Sequence, residues 1–244
     1  MDIKKRISIF YEIILIFLIS ILLFGCATTA SLDERDPLEN FNRGVYSFNQ
    51  TMDEIVFNPI SKLYKAITPN IIEKGVSNFF SNLGDLSVIA NQILQLKFDK
   101  AASDVSRVLI NSTIGLLGFF DISSEIGLPK HNEDFGQTLA QWGFKSGPYI
   151  VVPFFGPATL RDLSALVIDK GMLNPMFYLE DDMTKAGLLT LNYVDFKSRF
   201  SNRNDLIGAA SLDEYEFIKN AYFEKRAYEI NDGKINDFIE VQEY

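Results

Sequence analysis

The sequence predicts an all-α fold, and three observations predict it. Apolar residues recur three and four positions apart along most of the chain. Helix-start and helix-stop residues punctuate the pattern at regular intervals. Strand signals are scarce: "PYIVVPF" at 148–154 is the best of them, and its two prolines make it an edge or extended segment. No internal repeat or low-complexity stretch interrupts this organisation.

The elements follow in chain order. Asp36-Pro37-Leu38-Glu39 reads as a helix start, with Asp36 as cap, Pro37 at the first helical position and Glu39 in the third. Phe41, Val45, Phe48, Met52 and Ile55 then form one apolar stripe, and Asn58-Pro59 is expected to end this helix. Thr68-Pro69 opens the next, carrying Ile72, Val76, Phe79 and Leu83. Asp85 is expected to open a third, with Ile89, Ile93 and Leu96, and Asp99 precedes a fourth over about 100–114. Phe135, Leu139 and Trp142 mark a short helix closed by Gly143. A helix is expected from Pro157 to Lys170, and a long one carries Ala186, Leu189, Tyr193, Phe196 and Phe200. Ser211-Leu212-Asp213-Glu214 reads as a capping box opening a last helix to about Ile230. The Phe and Tyr stripes are expected to be core.

Two stretches fit a plain soluble bundle poorly. "VLINSTIGLLGFFDIS" (108–123) stays apolar past its helical pattern, across Gly115 and Gly118, and "GPYIVVPFFGP" (147–157) is nearly uncharged and broken by prolines. One reading is buried core with tight turns. The other is backbone that enters a bilayer or lines a lipid path, where protein or a cavity must satisfy its polar groups. Neither stretch has the roughly 20 apolar residues of a spanning helix.

The N-terminus predicts the compartment. Lys4, Lys5 and Arg6 precede an apolar run from Ile13 to Phe24, which is the layout of a secretory signal over residues 1–25. The run ends Leu23-Phe24-Gly25-Cys26, which resembles a bacterial lipobox, and Cys26 is the only cysteine in the chain. On this reading Cys26 is lipidated and begins the mature protein. The alternative is an ordinary cysteine in an uncleaved anchor helix. A lipidated Cys26 leaves the rest without thiol, disulfide or thiolate ligand, so the fold must hold by packing alone. Each buried methylene of an acyl chain contributes about 0.8 kcal/mol, so several chains anchor durably. Ala27, rather than Asp, after the cysteine favours the outer membrane. A linker at 26–35, a helical domain at 36–230 and a polar tail at 231–244 complete the expected organisation.

Composition narrows the function. The formal charge is −9 and the isoelectric point about 4.7. Such a surface argues against nucleic acid and against electrostatic adhesion to anionic lipid, so membrane contact has to be apolar. The 21 Phe and 10 Tyr supply ample apolar surface. Catalytic patterns are weak: the single histidine, His131, lies in the polar stretch "LPKHNEDFG", and no G-x-S-x-G elbow, H-E-x-x-H pair or glycine-rich phosphate loop is present. His131 reads as a surface or capping histidine. Asp181-Asp182 and Asp213-Glu214 precede helical patterns, where acidic groups favour the positive end of the dipole, so they read as caps rather than metal or acid–base sites.

Five segments in order resemble one family: "DPLENFNRGVYSFNQ" (36–50), "GVSNFFSNLGD" (75–85), "RVLINSTIGLLGFFD" (107–121), "EDFGQTLAQWGFKSGPYIVVPFFGPATLRD" (133–162) and "AYFEKRA" (221–227). They are similar to the MlaA (VacJ) family, and the lipobox agrees. Where the family often has an acidic-Pro pair, this chain reads Gly84-Asp85-Leu86. The resemblance implies a ring-like bundle of amphipathic helices lying in the inner leaflet of the outer membrane, with few or no strands and a central amphipathic channel. It implies a lipid-anchored, non-enzymatic lipoprotein on the periplasmic face. Such a protein removes phospholipid from the outer leaflet and passes it to a periplasmic carrier feeding an MCE-type ABC transporter, and it associates with trimeric porins. It needs no cofactor beyond the lipid on Cys26, and phospholipid is its cargo. Ile114, Gly115, Leu116, Leu117, Gly118, Phe119 and Phe120 are the candidate mobile wall of that channel: two glycines for unusual backbone, five apolar side chains for a lipid-facing surface. A porin-docked scaffold without transport and, behind it, a phospholipid hydrolase are the alternatives.

Overall fold

In a computed structural model, residues 33–200 and 212–234 are described. The signal segment, Cys26, Ala27, Ser211 and most of the polar tail lie outside these residues.

Helix α1 (Glu39–Met52) runs through a π-helical turn (Asp53–Phe57) into α2 (Asn58–Ile67). The expected stop at Asn58-Pro59 is therefore corrected. Pro59 occupies the first turn of α2, where its missing N–H costs little, and the π turn accommodates the ring. The expected cap at Asp36 is corrected as well: α1 begins at Glu39, after Leu38, with no side-chain cap, and Asp36 is spent elsewhere. It is fully buried, and its carboxylate accepts from Asn42 Nδ2 at 2.7 Å and Tyr215 Oη at 2.5 Å, with Lys219 Nζ at 3.3 Å.

Helix α3 (Asn70–Leu94) is one uninterrupted helix of 25 residues, so the separate start expected at Asp85 is corrected too. Asp85 points into the protein and pairs with Lys130 instead of capping. Helix α4 (Phe98–Thr113), the single turn α5 (Ile122–Glu125) and α6 (Phe135–Gln141) follow. Asp134 caps α6, accepting from Gln137 N at 2.9 Å, and Gly143 closes it at φ +87°. Strands β1 (Tyr149–Val152) and β2 (Gly156–Thr159) form an antiparallel hairpin in register Tyr149↔Thr159 to Val152↔Gly156. The helix expected from Pro157 therefore begins later, as α7 (Leu160–Val167), capped by Thr159. Helix α8 (Asp182–Phe200) starts beside Asp181, whose Oδ2 accepts from Thr184 N at 2.8 Å. Helix α9 (Glu214–Ile230) is capped by Asp213, which accepts from Glu216 N at 3.2 Å. Both acidic pairs thus sit at helix starts.

Contacts between elements run in a circuit: α2 on α8, α8 on α3, α3 on α6 and α6 on α9. Helix α9 returns to α1 through Arg43–Asp213 at 2.9 Å and Tyr46–Glu214 at 3.2 Å. Arg226 of α9 adds a further tie, binding Asp134 at 2.6 Å and Asp162 at 2.8 Å.

The distribution of polarity is inverted relative to a water-soluble bundle. Among the described residues, 8 hydrophobic and 19 polar or charged residues are buried, so the interior is held mainly by hydrogen bonds and ion pairs. One small apolar cluster, Tyr149, Val151 and Tyr215 with Val45, Tyr46, Tyr222 and Phe223, sits under α9. The expectation that the aromatic stripes form the core holds for this Tyr- and Phe-rich cluster and for Phe80, but other stripe residues face outward. In α1 the buried residue is Asn42, while Phe48 and, in the following turn, Ile55 face outward. Ile72, Ile93 and Leu96 are likewise exposed. No helix among the described residues is long and apolar enough to cross a membrane.

Candidate functional site

The 114–120 segment is a compact loop joining α4 to α5. Leu116, Leu117 and Gly118 take φ of 51°, 59° and 89° in succession, a left-handed run that is unfavourable for the two leucines. Backbone bonds hold it: Leu117 N to Ser112 O at 3.0 Å, Gly118 N to Asn111 O at 2.7 Å and Phe120 N to Gly115 O at 2.8 Å. The two glycines are packing glycines. A Cβ at Gly115 would fall 2.2 Å from Phe120 O, and one at Gly118 2.6 Å from Asn82 Cβ. Bulky residues at either position would therefore disrupt the loop itself.

The loop lies across α3. On one side is an apolar cleft of about 190 Å³. Val76, Phe79 and Phe80 of α3 line it, with Leu116, Leu117 and Phe119 of the loop and Leu188 and Leu191 of α8. Of the seven residues expected from sequence, these three loop side chains reach the cleft. Ile114 and Phe120 do not line it, and Gly115 and Gly118 shape the turn. The α8 leucines fall beside the expected stripe residue Leu189.

On the other side is a polar chamber lined by Asn78, Ser81, Asn82 and Asp85 of α3, Arg107 and Asn111 of α4, Asp121 and Lys130. One loop residue divides the two spaces: the Phe119 side chain lines the cleft, while its carbonyl accepts from Asn78 Nδ2 at 3.2 Å. Sequence reasoning missed the chamber. Its signal was a second stripe, Asn78, Asn82 and Asp85 on α3 with Asp104, Arg107 and Asn111 on α4, at helical spacing opposite the apolar one.

The chamber's electrostatics are uneven. Arg107 is spent on the protein: Nη2 bonds Asp121 at 3.0 Å, and Nη1 bonds Leu128 O at 2.5 Å and Ser124 Oγ at 3.2 Å. Burial raises the Asp121 carboxyl, but Ser124, Asn111 and the Arg107 charge together carry it below the usual range. Asp85 behaves oppositely. Burial lifts it above the usual carboxylate range despite Lys130. Beyond the chamber, His131 Nδ1 lies 2.9 Å from Asp104 Oδ2, so the single histidine is paired with a buried carboxylate. Glu133 binds Lys97 at 2.9 Å and Asp134 binds Arg226, so neither orients His131. No group of three metal-binding side chains gathers among the described residues.

This arrangement has counterparts. Residues 34–229 match the MlaA lipoprotein family. The chain is 35% identical over 195 residues to an uncharacterized protein of Rickettsia felis, covering 80% of this chain and 78% of that protein. It is 30% identical over 221 residues to the intermembrane phospholipid transport system lipoprotein MlaA of Escherichia coli, covering 88% and 86%. A solved structure reported as the structural basis for maintenance of bacterial outer membrane lipid asymmetry superposes with a TM-score of 0.70 and 27% identity, over 80% of this chain and 99% of that one. By family match, identity and fold, the chain belongs to the MlaA lipoprotein family.

Proposed function

We propose that this protein is an outer-membrane lipoprotein that takes phospholipid from the outer leaflet and hands it to a periplasmic carrier, keeping the membrane asymmetric. The observation that carries this reading is the apolar cleft and the polar chamber set back to back across the 114–120 loop. A phospholipid headgroup is costly to move through hydrocarbon without partners. Polar groups that meet part of the head, beside an apolar space for the tails, lower that cost, and no covalent bond need break. Phe119 stands between the two, and Leu116 and Leu117 line the cleft beside it.

The inverted exterior supports placement in lipid. Polar side chains face one another inside, and Ile55, Ile67, Ile71, Leu96, Leu116 and Leu117 face out, as in proteins whose solvent is acyl chain. With no spanning helix among the described residues, this surface suits a single leaflet, about 15 Å of hydrocarbon. The relatives' names support phospholipid as cargo. A lipid on Cys26, trimeric porins and a carrier that feeds an MCE-type transporter complete the proposal.

The test is outer-leaflet phospholipid in cells lacking the protein. It should accumulate on deletion and return to normal with the wild-type gene. An unchanged outer leaflet, in cells with no second copy, would leave the porin scaffold as the better reading.

A further inference from the structure

The chamber has open hydrogen-bonding capacity, and it is mostly of one kind. Asp121 is saturated by Ser124, Asn111 and Arg107. Asp85, only 2% exposed, gives Oδ1 to Lys130 and leaves Oδ2 buried with no partner. Asn82, 6% exposed, donates from Nδ2 to Ser112 and leaves Oδ1 buried with no partner. The buried nitrogen with no partner along this lining is Arg107 Nε, and it faces Asp104 Oδ1 at 4.0 Å. A buried acceptor without a donor is destabilising by roughly 1–3 kcal/mol, more when charged. Two buried acceptors therefore stand open at the Asp85 and Asn82 end.

Size and charge narrow the missing donor. The free volume is about 10 Å³, enough for one water-sized group and too small for a trimethylammonium. Asp85 and Asp121 balance Arg107 and Lys130 along the lining, and two open oxygens are too few to hold a divalent metal. The raised Asp85 carboxyl indicates a carboxylate that Lys130 alone does not compensate.

We propose that this end of the chamber seats the primary ammonium of a phospholipid headgroup, with Asp85 Oδ2 and Asn82 Oδ1 as acceptors, making the protein selective for ethanolamine over glycerol and choline headgroups. The inference rests on the transport reading and adds headgroup choice to it.

The test uses the full-length protein in detergent, incubated with vesicles of equal phosphatidylethanolamine and phosphatidylglycerol, and mass spectrometry of the lipid that co-purifies. Ethanolamine lipid should be enriched about tenfold or more, the ratio one charge-assisted hydrogen bond supports. Retention should fall stepwise for N-methyl, N,N-dimethyl and trimethyl headgroups, which keep the charge and lose donors. Asp85→Asn should bring the bound lipid to the supplied ratio; if that variant fails to fold, the methylation series on the wild type decides. Bound lipid that mirrors the supplied mixture, or equal retention of choline and ethanolamine, overturns the proposal and leaves transport standing. Free ethanolamine binding as tightly as the lipid overturns the assignment to a headgroup. Failure to retain any phospholipid overturns both readings.

Discussion

Gly75 offers a sharp test of the wall. It is buried in α3 under the Phe119 ring, and a Cβ built there falls 2.1, 2.2 and 2.4 Å from three ring carbons. Gly75→Ala must therefore evict the ring. Two effects oppose each other. Alanine is favoured over glycine in a helix interior by about 0.8–1.0 kcal/mol. Overpacking costs about 1–3 kcal/mol. The net expectation in the wild type is a destabilisation of roughly 0–2 kcal/mol, the difference of those two ranges. In a Phe119→Ala background there is no ring to evict, and the same substitution should stabilise by up to about 1 kcal/mol. The two positions should thus couple by about 1–3 kcal/mol. Four proteins, unfolded chemically in one detergent and followed by helical circular dichroism, measure this. If Gly75→Ala has the same effect in both backgrounds, Phe119 is not seated on Gly75 and does not divide the two spaces.

Other consequences are as direct. Leu117 is 69% exposed at the rim of the cleft, so Leu117→Asp should change stability by less than about 0.5 kcal/mol yet reduce co-purified phospholipid; undiminished lipid would remove the loop from the lipid path. Burial raises Asp134 and Asp162, and Arg226 more than offsets it, so both titrate below the usual range. Their contribution is full above about pH 3.9 and is lost as pH falls through their lowered folded values. Arg226→Leu should cost about 3–5 kcal/mol at neutral pH. It should also reverse the trend, because carboxyls left buried without a cation gain protons in the folded state and stabilise it on acidification. Unfolding midpoints from pH 7 to 3 measure both, and parallel curves would refute the assignment. Cys26→Ser should abolish incorporation of labelled palmitate; persistent labelling would place the lipid elsewhere.

Much of this was readable in the sequence. Helical spacing located nearly every helix, because the repeat of apolar residues depends on backbone geometry alone. Which face turns inward depends on the solvent, and spacing says nothing about that. The stripe from Phe41 to Ile55 was correctly periodic, yet Asn42 is the residue that α1 buries. Two of the boundaries that differ do so for a related reason. Pro59 and Asp85 are residues that usually end or begin a helix, but the π turn admits the first and the second pairs with Lys130 within a continuing helix. The 114–120 loop stood out through its glycines and unbroken apolar run. The chamber did not, since buried amides on α3 and α4 look in sequence like an ordinary wetted face. Only the folded chain shows Asn78, Asn82 and Asp85 turned toward Arg107 and Asn111.

The tie between the two ends of the described chain has a bearing on biosynthesis. Asp36 takes its hydrogen bond from Tyr215 and its counter-ion from Lys219, partners 179 and 183 residues further along. Asp134 and Asp162 wait for Arg226 in the same way. Three carboxylates are thus made early and gain these partners only when the last helix arrives, although Asp162 also has Arg161 beside it at 3.2 Å. Contacts of such long sequence separation are slow to form, because the intervening chain must be ordered first. A nascent chain leaving the ribosome therefore has no finished state to adopt until nearly all of it has been synthesised. A truncation before Tyr215 would strip those three acids of their α9 partners and leave a chain unable to complete its circuit.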